Sequence, residues 1–250
     1  MANIHMFLQG KGGVGKSFAA TLMAQKMIED GKKPLCIDLD PVNPTFSGYK
    51  ALGVKYFDVM NGDDVDQWRF DQMIELIAKS KVDVIIDNGA SSFIPLVSYI
   101  KKTEIPELLQ GAGHILIIHT LIVGGEALAD TVVGLAKTIS IFPEETKFVV
   151  WLNPFAGPIE NEGKEFTEFK AYKDNKKRVT AIVEIPEFQQ QTFERNLREM
   201  FKSKLTFVEA LKMPELPIVT RQRLTMMRRD IYKRLGQLAE IPKLAVNEAG

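Results

Sequence analysis

Six short apolar runs rich in β-branched residues recur along the chain, at residues 4–8, 35–39, 82–86, 115–120, 148–152 and 179–183. Runs so nearly continuous in hydrophobicity belong to strands buried on both faces. Most are separated by segments whose apolar residues fall at helical spacing. In residues 17–30, for example, Ala20, Leu22, Met23, Ala24, Met27 and Ile28 form such a set, and Gly31 follows as the stop. Strand alternating with helix predicts an α/β fold, a doubly wound and mostly parallel sheet with helices on both faces. Ligands of such sheets bind beyond the carboxyl ends of the strands, so the residues that follow each run are the candidates for chemistry.

Composition narrows this further. A chain of 250 residues that is 45% hydrophobic fits one domain over 1–250 with a well-developed core. No repeat or low-complexity tract interrupts it, and residues 155–177 read as a polar loop and a solvated helix beside the site. The single cysteine, Cys36, lies in an apolar run and argues for a reducing compartment. The N-terminus leaves no room for a removable leader, and the longest apolar run, 115–123, is too short to span a bilayer. A soluble, cytoplasmic protein is expected.

The loop after the first run reads Gly10-Lys11-Gly12-Gly13-Val14-Gly15-Lys16-Ser17, which fits the P-loop pattern G-x-x-x-x-G-K-[ST]. Glycines at these positions let backbone N–H groups turn inward around a phosphate, with Val14 and Phe18 beside them. Lys16 can reach the β- and γ-phosphates and Ser17 can hold Mg²⁺. Strand, glycine loop and helix in this order also put the phosphate on a helix N-terminus. Asp87 ends the third run in the Walker B manner and is a second candidate Mg²⁺ ligand. Its alternative is a helix N-cap. Asp38 and Asp40 follow the second run two residues apart, one suited to the Mg²⁺ shell and the other to an attacking water, or else both to an Asx turn before Pro41. Asn153, after the fifth run, offers an amide donor and acceptor to the edge of adenine, and Pro186, after the sixth, is set beside the base. No guanine signature of the Asn/Thr-Lys-x-Asp type is present, which favours ATP.

The second lysine, Lys11, makes the loop resemble the deviant Walker A box of the ParA/MinD group of P-loop ATPases, and Asp38-Leu39-Asp40-Pro41 resembles their switch I. Residues 9–17, 34–49, 86–93 and 149–155 are more specifically similar to a family of plasmid conjugal-transfer proteins, over nearly the full chain. The resemblance implies an ATP-binding and hydrolysing homodimer switch that regulates or positions a conjugative DNA-transfer complex, with relaxosome or transfer-apparatus proteins as partners. It also implies roles: Lys11 acting in trans on the partner's nucleotide, Lys16 in cis, Ser17 and Asp87 around Mg²⁺, Asp40 near the water and Asn153 at the adenine. A slow, partner-regulated, Mg²⁺-dependent ATPase is the activity expected, while Val42-Asn43-Pro44 and Asn88-Gly89-Ala90 depart from the group's usual switch sequences, a departure that bears on the water-positioning role of Asp40 and fits a module with little hydrolysis. Two other classes stay open: a metabolic ATP-dependent ligase or kinase, and a nucleotide-binding module with little hydrolysis. An iron–sulfur dimer would need two cysteines per subunit, and His5, His114 and His119 lack metal-ligand spacing, so no zinc site is expected.

A basic amphipathic helix is expected around 218–238. Residues 221–234 hold Arg221, Arg223, Arg228, Arg229, Lys233 and Arg234 against Asp230 alone. Leu224, Met227, Ile231, Leu235 and Leu238 share the opposite side. Such a helix can dock on the sheet with its basic face solvated, bind DNA phosphates without sequence preference, or lie on a membrane surface. The membrane reading is the weakest, because residues 241–250 follow the helix. Phe166 and Phe169, among lysines, are expected to face the core.

Overall fold

The structure is a computed structural model describing residues 1–187 and 191–241. The tail after the basic helix, residues 242–250, and residues 188–190 lie outside the described residues. Seven parallel strands form the main sheet: β1 (Asn3–Phe7), β2 (Leu35–Asp38), β3 (Lys55–Tyr56), β4 (Val84–Asp87), β5 (Ile115–Val123), β6 (Lys147–Asn153) and β7 (Val179–Glu184). Their order is β7-β6-β5-β1-β4-β2-β3. Six of them are the apolar runs. The seventh, β3, pairs Lys55 with Ile37 and Tyr56 with Asp38 at the sheet edge. Its two exposed residues carry no hydrophobic signal.

All five residues of β1 are buried, as the continuous apolar run requires. Strand alternation then sorts the core into two layers. Phe7, Ile85, Ile117 and Trp151 face α1 (Lys16–Glu29), α7 (Gln191–Lys202), α8 (Phe207–Lys212) and α9 (Ile218–Leu235). Ile4, Met6, Ile86, Ile118 and Val150 face α2 (Gln67–Ala78), α3 (Phe93–Lys102), α4 (Ile105–Gly111) and α5 (Leu128–Ile141). The strand order runs outward from β1 in both directions, so the loop after β1 stands where the order reverses, the crevice in which such sheets bind ligands.

Helix α1 stops as expected. Gly31 takes φ 78°; its N–H donates to the Ile28 carbonyl at 3.0 Å and that of Lys32 to the Met27 carbonyl at 2.9 Å. These are the paired bonds of a Schellman motif.

Residues 155–177 need a correction. In place of a loop and a solvated helix, Glu160–Asn161 and Lys164–Glu165 form a hairpin, turned at Glu162 and Gly163 with φ 52° and 74°. Positive φ at both central residues matches the right-handed twist of the strands. The short helix α6 (Lys170–Lys173) follows. It is not simply solvated: the Tyr172 ring lies 5.3 Å from that of Phe166, which is buried, so Phe166 faces the core as expected, and Phe169 packs against the same cluster.

A buried polar chain crosses the α1 side of the sheet. Trp151 Nε1 donates to His119 Nδ1 at 2.9 Å, and His119 Nε2 lies 2.9 Å from His5 Nδ1. Indole is a donor only, so the direction is fixed: His119 carries its proton on Nε2 and donates it to His5, which in turn carries its proton on Nε2. Burial holds the pKa of His119 well below the usual histidine range and lowers that of His5 to about 4, with Asp83 opposing and Lys32 adding to the shift. Both rings are therefore neutral. Among the described residues no helix is long and apolar enough to cross a membrane.

Candidate functional site

Between β1 and α1 the backbone of Gly13 and Gly15 turns left-handed, with φ 73° and 100°. Gly15 occupies the N-cap position of α1 without a side-chain cap, so the first-turn N–H groups have no intrahelical acceptor and no capping oxygen. They open on a cavity of about 540 Å³ lined by Gly12, Gly13, Val14, Gly15, Lys16, Ser17 and Phe18, by Asp40, Val42, Asn43 and Thr45 after β2, and by Ala90 and Ser91 after β4. Uncapped first-turn N–H groups at a helix N-terminus, with a lysine beside them, are the features that suit an anion such as a phosphate chain. Gly10 stands at the entry, where an added Cβ would lie 3.1 Å from the Phe93 ring.

Lys16 is 8% exposed; burial lowers its pKa, and the nearby Asp87 and Asp40 oppose this. Asp87 ends β4 behind the cavity at 1% exposure, and neither carboxylate oxygen has a hydrogen-bond partner. Burial pushes its pKa up to about 7; Asp38 and Asp40 add to the shift, while the Ser17 hydroxyl and the Lys16 ammonium oppose it. It does not cap a helix, since Ser92 holds the N-cap position of α3. An orphaned buried carboxylate beside a hydroxyl is a fitting ligand pair for a hard cation whose other ligands are phosphate oxygens and water. Among the described residues no group of three or more His, Cys, Asp or Glu could hold a metal by itself.

The two carboxylates after β2 part company. Asp38 is fully buried: its Oδ1 accepts from the Asp40 N–H at 3.0 Å and its Oδ2 from the Ser47 N–H at 2.8 Å, and burial raises its pKa against those bonds. Its carboxylate folds the loop and does not line the cavity. Asp40 does line it, yet its Oδ1 accepts from the N–H groups of Val42 and Asn43 at 2.9 and 3.0 Å. The Asx turn before Pro41 is thus real. A Cβ on Gly89 would lie 2.7 Å from Asp40 Oδ1, so the loops after β2 and β4 meet at a glycine. Ser92 Oγ ties the second loop by donating to Asn88 Oδ1 at 2.9 Å.

Two further candidates sit elsewhere. Asn153 donates from Nδ2 to the Val14 carbonyl at 3.0 Å, and its Oδ1 accepts from the Phe155 N–H at 3.2 Å. The amide assigned to adenine is engaged as a strut between the end of β6 and the glycine loop. Pro186 is buried in a narrow crevice with Leu22, Trp151 and Arg234, apart from the cavity.

Lys11 is not among the residues that line the cavity with Lys16. Its Nζ pairs with Asp130 Oδ2 of α5 at 2.7 Å, with both side chains exposed. Sequence reading did not find Asp130, nor Gln9, whose Nε2 donates to the Leu121 carbonyl at 2.9 Å and pins the start of the loop to β5. Neither belongs to a local pattern.

Helix α9 docks as its apolar stripe requires, with Leu224, Met227, Ile231 and Leu235 buried, and Leu238 beyond it buried as well. Its basic face needs a correction, because it is not simply solvated. Arg221 donates to the carbonyls of Leu211, Met213 and Leu216 around the end of α8. Arg228 pairs with Glu29, and Arg234 with Glu184 and Asp230.

Residues 5–233 match the family model described as the CobQ/CobB/MinD/ParA nucleotide binding domain. Two Escherichia coli proteins, each called Protein TraL, are 53% identical over 239 residues, covering 96% of this chain and 99% of theirs. Among solved structures, the MinC:MinD cell division protein complex from Aquifex aeolicus aligns over 92% of this chain and 95% of that chain, with TM-score 0.50 and 16% identity, a likeness of fold alone. The chain therefore belongs to the CobQ/CobB/MinD/ParA nucleotide-binding family and, within it, to the family that includes the TraL proteins.

Proposed function

We propose that this protein is a slow, partner-regulated, Mg²⁺-dependent ATPase whose ATP-bound form closes as a homodimer, and that it regulates or positions a plasmid conjugative DNA-transfer complex from the cytoplasm. The observation that carries this reading is the split pair of lysines. Lys16 is buried in the cavity, where it would serve the nucleotide of its own chain, while Lys11 is exposed on Asp130. A cation held outside its own site can stabilise phosphoryl-transfer charge only across an interface, in the manner of an arginine finger. Val42, Ile94, Phe155 and Val133 are each at least half exposed, and each lies within a turn or a loop of a site residue. Apolar side chains so placed favour a protein partner over water.

Within the site, the N–H groups of Gly13 to Ser17 would hold the phosphates, Lys16 would offset their charge, and Ser17 with Asp87 would hold Mg²⁺. When bound, that ion neutralises charge on the β- and γ-phosphate oxygens. Asp40 would orient the attacking water from Oδ2. Its Oδ1 is committed to Val42 and Asn43, which supports slow turnover until a partner rearranges the loop. ATP can drive such closure only by favouring the closed dimer more than ADP does.

The test is the oligomeric mass of wild type and Lys11→Ala with ATP–Mg²⁺, with ADP–Mg²⁺ and without nucleotide. A dimer formed only by wild type with ATP is expected. One mass in all six samples would sink the switch.

A further inference from the structure

We propose that the groove between α7 and α9 is a docking site for an amphipathic helix of a partner protein that carries acidic residues beside its apolar stripe. The groove encloses about 580 Å³ and is lined by Phe193, Met226, Met227, Arg229, Asp230 and Lys233. It is distinct from the nucleotide cavity, and none of its residues serves there. Met227 is fully buried beneath the groove, and Met226, 40% exposed, is the methionine that a docked helix would meet.

The seam of α9 continues this lining. Val219, Met226 and Lys233 recur every seven residues, so they share one side of the helix. Val219 is 55% exposed. From Val219 to Lys233 this seam is about 21 Å long, which suits a helix laid alongside with anchors at i, i+3/4 and i+7. Methionine at the contact favours such an occupant, because its unbranched, polarizable side chain repacks around different partners.

Charge selects the partner's chemistry. Arg228 and Arg234 are paired with Glu29 and with Glu184 and Asp230. Arg229 and Lys233, on the groove side, are exposed and have no ion-pair partner among the described residues. Arg223 lies over the Phe193 ring, 5.6 Å from its centre. The one acid in the lining, Asp230, faces Arg234 at 3.6 Å. An apolar floor with cations on its rim complements apolar anchors flanked by Glu or Asp. A nucleic acid would use the two cations and leave the exposed Met226 and Val219 uncovered.

The test uses the full chain and three fluorescent probes: a synthetic helix of about five turns with a Leu stripe and Glu flanks, the same helix with Lys flanks, and a short DNA duplex. Anisotropy should show the Glu-flanked helix binding wild type and the Lys-flanked one failing. Arg229→Glu with Lys233→Glu, and separately Met226→Lys, should each weaken binding about tenfold or more; all three positions are exposed, so the fold tolerates them. Equal binding of the two helices, no binding of either, or indifference to both variants would overturn the proposal. Duplex binding that the double variant abolishes, with the helices ignored, would assign the face to phosphate backbones instead. A benzophenone photoprobe placed at Met226 that crosslinks to residues 242–250 of its own chain would assign the groove to that tail.

Discussion

Asn153 holds the glycine loop by its carbonyl: Nδ2 donates to Val14 O at 3.0 Å, and Val14 is only 2% exposed. The glycine loop is thereby braced from the end of β6. Asn153→Ala leaves a buried carbonyl without a donor, a loss of about 1–3 kcal/mol. Urea unfolding of the nucleotide-free protein should show this, and nucleotide affinity should fall with it as the loop loosens. Were Asn153 only a contact for the base, the nucleotide-free protein would unfold at the same urea concentration as wild type.

Asp87 should destabilise the empty protein above neutral pH. Its folded pKa, about 7, lies above the ordinary 3.8, so the native state holds a proton there that the unfolded chain gives up. The stability linked to that proton is fully present below pH 3.8 and is lost as pH rises through 7. Asp87→Asn removes the buried charge and should gain on the order of 2–4 kcal/mol at pH 8, with no gain near pH 3.8. The variant should at the same time lose Mg²⁺-dependent nucleotide binding. Urea unfolding across this pH range checks the first claim, and calorimetric titration with and without Mg²⁺ the second.

The chain from Trp151 through His119 to His5 makes three further predictions. Nitrogen NMR at pH 7 should find both imidazoles neutral and protonated on Nε2. Because His5 titrates near 4 when folded and 6.5 is its ordinary value, the unfolded chain takes up a proton that the native state refuses. Stability is whole above pH 6.5 and falls as pH drops toward 4, by on the order of 3 kcal/mol for His5 alone. Asp87 shifts stability the other way over part of this window, so Asp87→Asn is the background in which to measure it. Trp151→Phe removes the donor that orders the chain and should cost about 1–3 kcal/mol, with mixed tautomers at His119 as its signature.

What the chain's pattern reveals and conceals has a physical basis in these same residues. Central strands buried on both faces are mostly apolar, and edge strand β7 is apolar enough to read the same way, so six of the seven appear as runs; the glycine loop is legible because its glycines, Lys16 and Ser17 are neighbours in the chain. Strand β3 is invisible because Lys55 and Tyr56 are exposed and pair through backbone alone. Asp130 is 119 positions from Lys11, and Trp151 is 32 from His119; only the folded sheet brings them together. The Asx turn is legible at Asp38 and Asp40 as an alternative to a Mg²⁺ or water role, whereas Asn153 is legible only as a strand-end amide and not as the group that braces the glycine loop. A carboxylate or amide there has backbone N–H and C=O groups within reach, and those leave no mark on the side-chain pattern.

The basic helix tests that last point most directly. Arg221 reads as one cation in a run of six, yet its guanidinium donates to three carbonyls, those of Leu211, Met213 and Leu216. Two of these lie at the C-terminal end of α8, where carbonyls lack intrahelical donors and the dipole favours a cation. A planar fork of five donors can reach several acceptors at once; an ammonium on a flexible stem cannot hold the same set. If Arg221 served a phosphate surface, Arg221→Lys would preserve its charge and its function. If it fastens α8 to the start of α9, the same substitution should lower stability by about 1.5–3 kcal/mol. Arg221→Ala should then cost at least as much, while Arg229→Ala, on an exposed cation of the same helix, should change it by less than about 0.5 kcal/mol. Thermal unfolding of the three variants separates the two readings, and loss in both Arg221 variants but not at Arg229 is the expected result.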